Sequence, residues 1–380
     1  MPPRTPSEAR TRALARLNAP GDPFGANLPA LWLHGLADRL AGRRHRRIAR
    51  WGNLRPVGER GKVIWLRCGD DPWQLRLAVD LTRALRARRY DIRLVLTYEA
   101  EYADLLQPLD DCRATGWGYA PCDHPRALRR AWQRLCPYGV LHIGVAARAH
   151  WKARLAAQPR VLWIDSPDAV PGQRRYPGSE PQATDCDDCA PVADLLTRLI
   201  EAQVDTAFRT AVLGARAAHL WWMHAPAPEL LTGWRELFPD DVLFVSGARP
   251  DTCSLRISQW DRTPLSGGAV VWVDTDRWWP ALAASARAIY VHAGERALLW
   301  QAMAGGAPLA IGHGSQLPRA DLHSLVPALR TTPLLQGWRA YAADPALCRA
   351  TGDRLRRRFW EERRRAEEVG EELLERVFNW

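Results

Sequence analysis

The stretch Val63–Leu75, VIWLRCGDDPWQL, decides the fold. From Val63 to Cys68 it is almost entirely apolar, as in a strand buried on both faces. Gly69 stops that strand, Asp70 and Asp71 make a turn, and Pro72 suits the first position of a helix entered at Trp73. Strand, tight turn and helix make the first half of a parallel-sheet unit.

The unit repeats. Runs at 63–68, 92–98, 138–144 and 160–165 alternate with helix-period segments such as QLRLAVDLTRALRARR and PRALRRAWQRL. That alternation predicts a parallel sheet flanked by helices. A Pro/Gly loop, DAVPGQRRYPGSEPQATDCDDCAP, then leads into a helix expected from about Val192 to Leu213, with Gly214 as its cap. Beyond it the alternation restarts with HLWW, DVLFVSG, AVVWVDT, AIYVHAG and PLAIG. The expected fold class is α/β, with two Rossmann-like domains facing across a cleft. Boundaries fall at 1–50 for an N-terminal arm, 51–213 and 214–344 for the two domains, and 345–380 for a helical end. In that end Leu355, Phe359, Ala366, Val369, Leu373 and Val377 share one stripe, and the charge runs between them read as a solvated face.

Composition narrows the partners. The chain has 380 residues, 47% of them hydrophobic and 25% charged, which suits a folded protein of two domains. Its net charge of +11 comes almost wholly from arginine, Lys62 and Lys152 being the exceptions, and the basic residues lie beside acidic ones along helices. A GC-rich coding sequence accounts for much of that charge, so no nucleic-acid partner is expected. Eight scattered cysteines and no signal peptide point to a reducing compartment. Cys186 and Cys189 form a CxxC without the second ligand pair of a structural zinc site, so no metal is expected and the pair reads as an ordinary surface loop. GxxxxGK[ST], an early GxGxxG and GxSxG are all missing, which removes the P-loop, dinucleotide and hydrolase classes, and no cofactor is expected. No apolar run approaches the ~18 residues of a membrane span. Residues 1–26 are polar and Pro-punctuated. After them Leu28, Leu31, Trp32, Leu36 and Leu40 fall near helical spacing, followed by Arg43, Arg44, Arg46 and Arg47. This amphipathic, basic-ended helix either lies on an anionic membrane surface or packs on its own domain.

In doubly wound sheets ligands sit beyond the carboxyl ends of the strands. There the second half offers the turn Asp274, Thr275 and Asp276, then Gly294 and Glu295, each leading into a helix whose free N–H groups suit a phosphate. Arg249, just after DVLFVSG, adds a guanidinium fork. The same features also read as plain tight turns.

In their order, several segments resemble the 3-deoxy-D-manno-octulosonic acid (Kdo) transferases, GT-B glycosyltransferases that move Kdo from CMP-Kdo to a lipid A precursor. They are YAPCDHPRALRR, AQVDTAFRTAVLGA, VDTDRWWPALAASARAIYVHAG and AMAGGAPLAIGHG, and the likeness runs from about Trp51 to the end. The resemblance implies a GT-B fold, a CMP-activated sugar acid as donor, a lipid acceptor, and a peripheral place on the cytoplasmic face of the bacterial inner membrane. It also implies site residues. Arg249 corresponds to the arginine that meets the CMP phosphate, and Gln301 stands where the family has a ribose-binding Glu. Trp151 is kept from the acceptor motif, and Trp73 or Gln74 falls at the position of the basic Glu. Asp71, or less directly Asp70, is then a relocated base at the end of the first strand. Asp71 before Pro72 reads first as a helix cap, and Asp70 as a surface turn residue. Because the family's carboxylates are replaced, a non-catalytic GT-B paralogue and an enzyme with another donor or acceptor are the alternatives.

Overall fold

The computed structural model describes residues 28–166, 170, 172–178, 189–202, 206–251, 253, 255–292, 296–313, 317 and 319–380. Contacts divide the chain into two compact units, residues 1–192 with 369–380, and residues 193–368.

The first unit is built on six strands: Lys62–Cys68 (β1), Ile92–Tyr98 (β2), Thr115–Tyr119 (β3), Pro137–Ile143 (β4), Val161–Ile164 (β5) and Arg174–Tyr176 (β6). All neighbours run parallel, in the order β3-β2-β1-β4-β5-β6. β1 is central and buried from Val63 to Cys68, as its unbroken apolar run requires. β3 and β6 were not expected: β3 is TGWGY, whose two glycines hide its alternation, and β6 is an arginine-rich edge. One face of the sheet packs Trp65, Val95, Val140 and Trp163 against Leu128 and Leu135 of the helix Pro125–Leu135 and Trp151 and Leu155 of the helix Ala149–Ala156. The indoles of Trp65, Trp132 and Trp151 stand 4.9–5.3 Å apart, centroid to centroid.

The second unit has seven strands: Leu220–His224 (β7), Val242–Ser246 (β8), Leu255–Arg256 (β9), Val270–Val273 (β10), Ile289–Val291 (β11), Leu309–Gly312 (β12) and Ala328–Leu329 (β13). They too are parallel, ordered β13-β12-β11-β7-β8-β10-β9. Trp221, Trp234, Leu243, Val245 and Trp338 form its core, with Trp221 stacked on Trp338 at 4.7 Å.

Three expectations change. The continuous helix from Val192 to Leu213 is instead a 3₁₀ turn, Leu195–Leu199, and a separate helix, Thr206–Leu213. Asp194 starts the turn by accepting the Leu196 N–H at 3.1 Å, a cap the apolar spacing concealed. Gly214 does follow the helix in the left-handed region, φ 61°. The C-terminal helix Pro345–Phe378 buries the whole expected stripe, but its charge run is not simply solvated. Glu362 is fully buried, accepting from Arg358 and Arg365 at 3.2 Å and from the Asp194 N–H at 2.9 Å. With Arg319 at 3.5 Å, four residues donate to this one carboxylate and make its burial tolerable. Cys189 is disulfide-bonded, which replaces the reading of the CxxC as an ordinary loop, whereas Cys186 lies outside the described residues. Among the described residues no helix is long and apolar enough to cross a membrane.

Candidate functional site

Strand order locates the crevice in each unit. In the first, the chain moves outward through β1, β2 and β3 and then returns to the other side of β1, so the loops after β1 and β4 diverge there. Gly144 ends β4 with φ 72°, and a Cβ on it would lie 2.2 Å from Cδ of Gln74, whose amide donates to the Gly144 carbonyl at 3.1 Å. Only glycine fits that corner.

A buried ionic cluster fills the floor of this crevice. Arg67, the penultimate residue of β1, donates to Glu99 at 2.8 Å, and Arg148 grips the same carboxylate through both oxygens at 2.6 and 3.0 Å. His142 of β4 lies against Arg67, with Nε2 2.9 Å from the Val145 carbonyl oxygen. Nε2 therefore carries the proton, and Nδ1 is left to accept from Arg67 Nη1 at 3.4 Å. Burial, then the neighbouring guanidinium, holds the His142 pKa well below 6.5, so the ring is neutral. Burial also lowers Arg67 to about 10, against the opposing pull of Glu99. Two guanidiniums share one carboxylate, and the Asp123 carboxylate also acts on Arg67. Arg148 is the partly exposed member of the cluster.

Next to it stands a second pair. Asp123, in the loop after β3, is 4% exposed at its side chain and accepts the Trp151 N–H at 2.8 Å, which anchors the start of the helix Ala149–Ala156. Its other oxygen lies 3.3 Å from Nδ1 of His150, a ring 41% exposed. A half-exposed imidazole whose inner nitrogen faces a buried carboxylate presents Nε2 outward in a fixed orientation.

The acidic turn after β1 is arranged differently. Asp71 accepts the Trp73 N–H at 3.0 Å and caps the helix Pro72–Arg88, with Pro72 at its first position. The cap reading is realised. Asp70 is exposed, and its carbonyl accepts the Tyr102 hydroxyl at 2.9 Å. Trp73 is buried under the Arg76 guanidinium. Trp151, expected on the acceptor side, is wholly buried beneath Arg67 and contributes through its backbone, because the indole triangle claims its ring.

In the second unit the order reverses between β7 and β11. His224 ends β7, with Nδ1 2.9 Å from Oγ of Ser246 at the end of β8, and that hydroxyl oxygen accepts the Trp222 indole N–H at 3.0 Å. The Ser246 proton is therefore free to donate to His224, whose pKa burial lowers. Beside them Tyr290 Oη lies 2.9 Å from His292 Nδ1.

Three of the expected donor residues come together at one side of this edge. Arg249 is exposed and lies 5.7 Å from the Trp272 ring centroid, with Arg256 at 4.9 Å. Asp274 accepts from Ser258 at 2.7 Å and lies 3.8 Å from Arg256. Thr275 uses its own hydroxyl to take the Arg277 N–H at 3.4 Å, starting the 3₁₀ turn Asp276–Trp278. That turn, rather than a helix, follows Thr275, so Asp276 opens no long helix dipole. Gln301 is buried in the helix Arg296–Gly305 and donates to the Glu201 carbonyl at 2.9 Å. Gly294 and Glu295 lie outside the described residues.

Glu99, His142, Arg148, His150, His224 and Ser246 carry no local motif. Of these, Ser246 stands inside the quoted run DVLFVSG, and Asp123 stands inside YAPCDHPRALRR.

No family model and no curated protein matches the chain. Solved structures do. UDP-GlcNAc 2-epimerase from Neisseria meningitidis, bound to UDP-GlcNAc, is 10% identical over 83% of this chain and 100% of its own, with a TM-score of 0.52. The calicheamicin glycosyltransferase CalG4 is 15% identical over 82% of this chain and 98% of its own, with a TM-score of 0.50. The fold is GT-B, two Rossmann-like units, and at these identities the likeness is one of fold.

Proposed function

We propose that the protein is a Kdo-transferase-like glycosyltransferase, moving a sugar acid from a CMP-activated donor to a lipid A type acceptor in lipopolysaccharide assembly. The observation that carries catalysis is the His150–Asp123 pair at the carboxyl edge of the first sheet. In this reading the acceptor hydroxyl attacks the anomeric carbon and the bond from that carbon to the phosphate oxygen breaks. CMP leaves with the bonding electrons, and His150 Nε2 takes the acceptor proton. Asp123 keeps the ring in the tautomer that accepts at Nε2. Arg148, the partly exposed guanidinium of the cluster, meets an anionic group on the acceptor or the sugar acid. Arg249 and Arg256 meet the departing phosphate, and the pieces of the Kdo-transferase pattern in the sequence support the choice of donor.

A peripheral site on the cytoplasmic face of the inner membrane belongs to the same proposal. It is supported by the helix Leu28–Leu40, whose Trp32, Leu33, Leu36 and Leu40 are more than half exposed and precede a run of arginines. Flotation with anionic vesicles tests it: wild type is recovered with the lipid, and Trp32→Ser with Leu36→Ser is not.

Incubation with CMP-Kdo and a lipid A precursor, following CMP release, tests the chemistry. Wild type is expected to release CMP, and His150→Ala to lose about 10²–10⁴-fold in kcat with the fold intact. Asp123→Asn should lose activity with the fold intact. A fully active His150→Ala variant sinks the base assignment. No release by wild type sinks the enzyme reading for this substrate pair and leaves a binding paralogue.

A further inference from the structure

On the β2–β3 side of the first sheet lies a cavity of about 420 Å³, within the ~300–1,000 Å³ range of small-ligand sites. It shares no lining residue with the crevice between β1 and β4. Its walls are apolar: Ile48 of the helix Arg44–Arg50, Leu54 and Val57 of the loop that follows, Val95 of β2 and Trp117 of β3. Gly116 and Gly118 leave the room, and a Cβ on Gly118 would meet nothing within 4 Å.

The polar groups around this space fall into two kinds. Thr97 and Thr115 turn their hydroxyls to the carbonyls of Leu66 and Arg113, at 3.4 and 3.2 Å, and the Tyr119 hydroxyl donates to Glu101 at 2.6 Å. They are satisfied. By contrast the side chains of His45, Asn53 and Arg55 have no protein partner among the described residues. A guanidinium, an imidazole and an amide without partners border an apolar slot, which is the arrangement that receives a chain at one end and an anion at the other.

We propose that this cavity binds an amphiphile with one alkyl chain and an anionic head. The chain lies against Ile48, Leu54, Val95 and Trp117, and the carboxylate or phosphate pairs with Arg55 and His45. A nucleobase fits less well, because the threonine hydroxyls that would read its edge are already bonded to backbone.

Displacement of bound cis-parinaric acid from the full chain is the test. Decanoate, dodecanoate and hexadecanoate should compete with affinity rising about fourfold per methylene until the chain outgrows the slot. Dodecanoate methyl ester should compete at least about tenfold more weakly than the acid. Lysophosphatidate in a parallel arm separates the two sources: stronger competition than by the equal-length acid assigns a phospholipid head, weaker competition a free fatty acid. Arg55→Ala should weaken the acid about tenfold and leave the ester unchanged. Gly118→Leu should abolish both while retaining the wild-type thermal midpoint. The proposal is overturned if no chain competes, if the ester binds as tightly as the acid, or if Gly118→Leu binds like wild type. A negative transfer assay leaves every one of these readings intact.

Discussion

The two carboxyl edges are built from different chemistry on the same topology. The first is ionic: Arg67, Glu99 and Arg148 interlock, and Asp123 stands behind His150. At the reversal point of the second, Trp222, Ser246 and His224 pass one hydrogen-bond chain along and Tyr290 meets His292. Its charges lie to one side, on Arg249, Arg256 and Asp274. The topology recurs, and the side chains alone make the first edge ionic and give the second its hydrogen-bond chain.

The largest effect that separates them should come from Glu99. Glu99→Ala leaves Arg67 fully buried with its countercharge gone, and about 3–5 kcal/mol of stability should be lost in urea denaturation. A loss below about 1 kcal/mol would mean that the cluster is hydrated and that its contrast with the second edge is smaller than the geometry states. Ser246→Ala should cost less, about 1–3 kcal/mol, because it strands a buried indole N–H and the His224 nitrogen but no charge.

Protonation sharpens the comparison further. His142 and His224 both have pKa values lowered by burial from the ordinary 6.5. A depressed folded pKa means that the unfolded chain binds the proton more readily. The stability each neutral ring contributes is therefore present above 6.5 and lost as pH falls toward its folded value. Below 6.5 each ring should add a slope of up to about 1.4 kcal/mol per pH unit. In denaturation series down to about pH 5, His142→Asn and His224→Asn should each flatten that slope. For His142 the flattening should extend further down, since Arg67 opposes its protonation as well. Equal curves for the two variants would show that the ionic edge exerts no field on its histidine.

Much of the scaffold was legible because burial on both faces writes itself into sequence as unbroken Val, Ile, Leu and Trp runs, as in β1, β2, β4, β7 and β8. β3 escaped because Gly116 and Gly118 erase its pattern, and β6 because arginines occupy an edge. The stripe of the C-terminal helix was readable from its 3.6-residue period, whereas the burial of Glu362 was not, since its partner Asp194 lies 168 residues away. The same distance effect hid the sites. Glu99 meets Arg67 across 32 positions and Arg148 across 49, and His150 meets Asp123 across 27. No spacing rule spans such gaps. Only strand order brings those loops together.

Asp71 marks the smallest effect, and it divides a local reading from a tertiary one. Its carboxylate takes the Trp73 N–H two residues on, with Pro72 between, so its cap is encoded within the turn itself. Asp71→Ala should cost about 1 kcal/mol, the loss of one cap. Asp71→Asn should cost less, because an amide oxygen still accepts that N–H. A base cannot survive the change to Asn, since the amide has no proton affinity to use, whereas a cap can. CMP release by Asp71→Asn at the wild-type rate, beside a collapse in His150→Ala, would place the chemistry with the residues that strand order assembles. The reverse pair of rates would return it to the turn after β1.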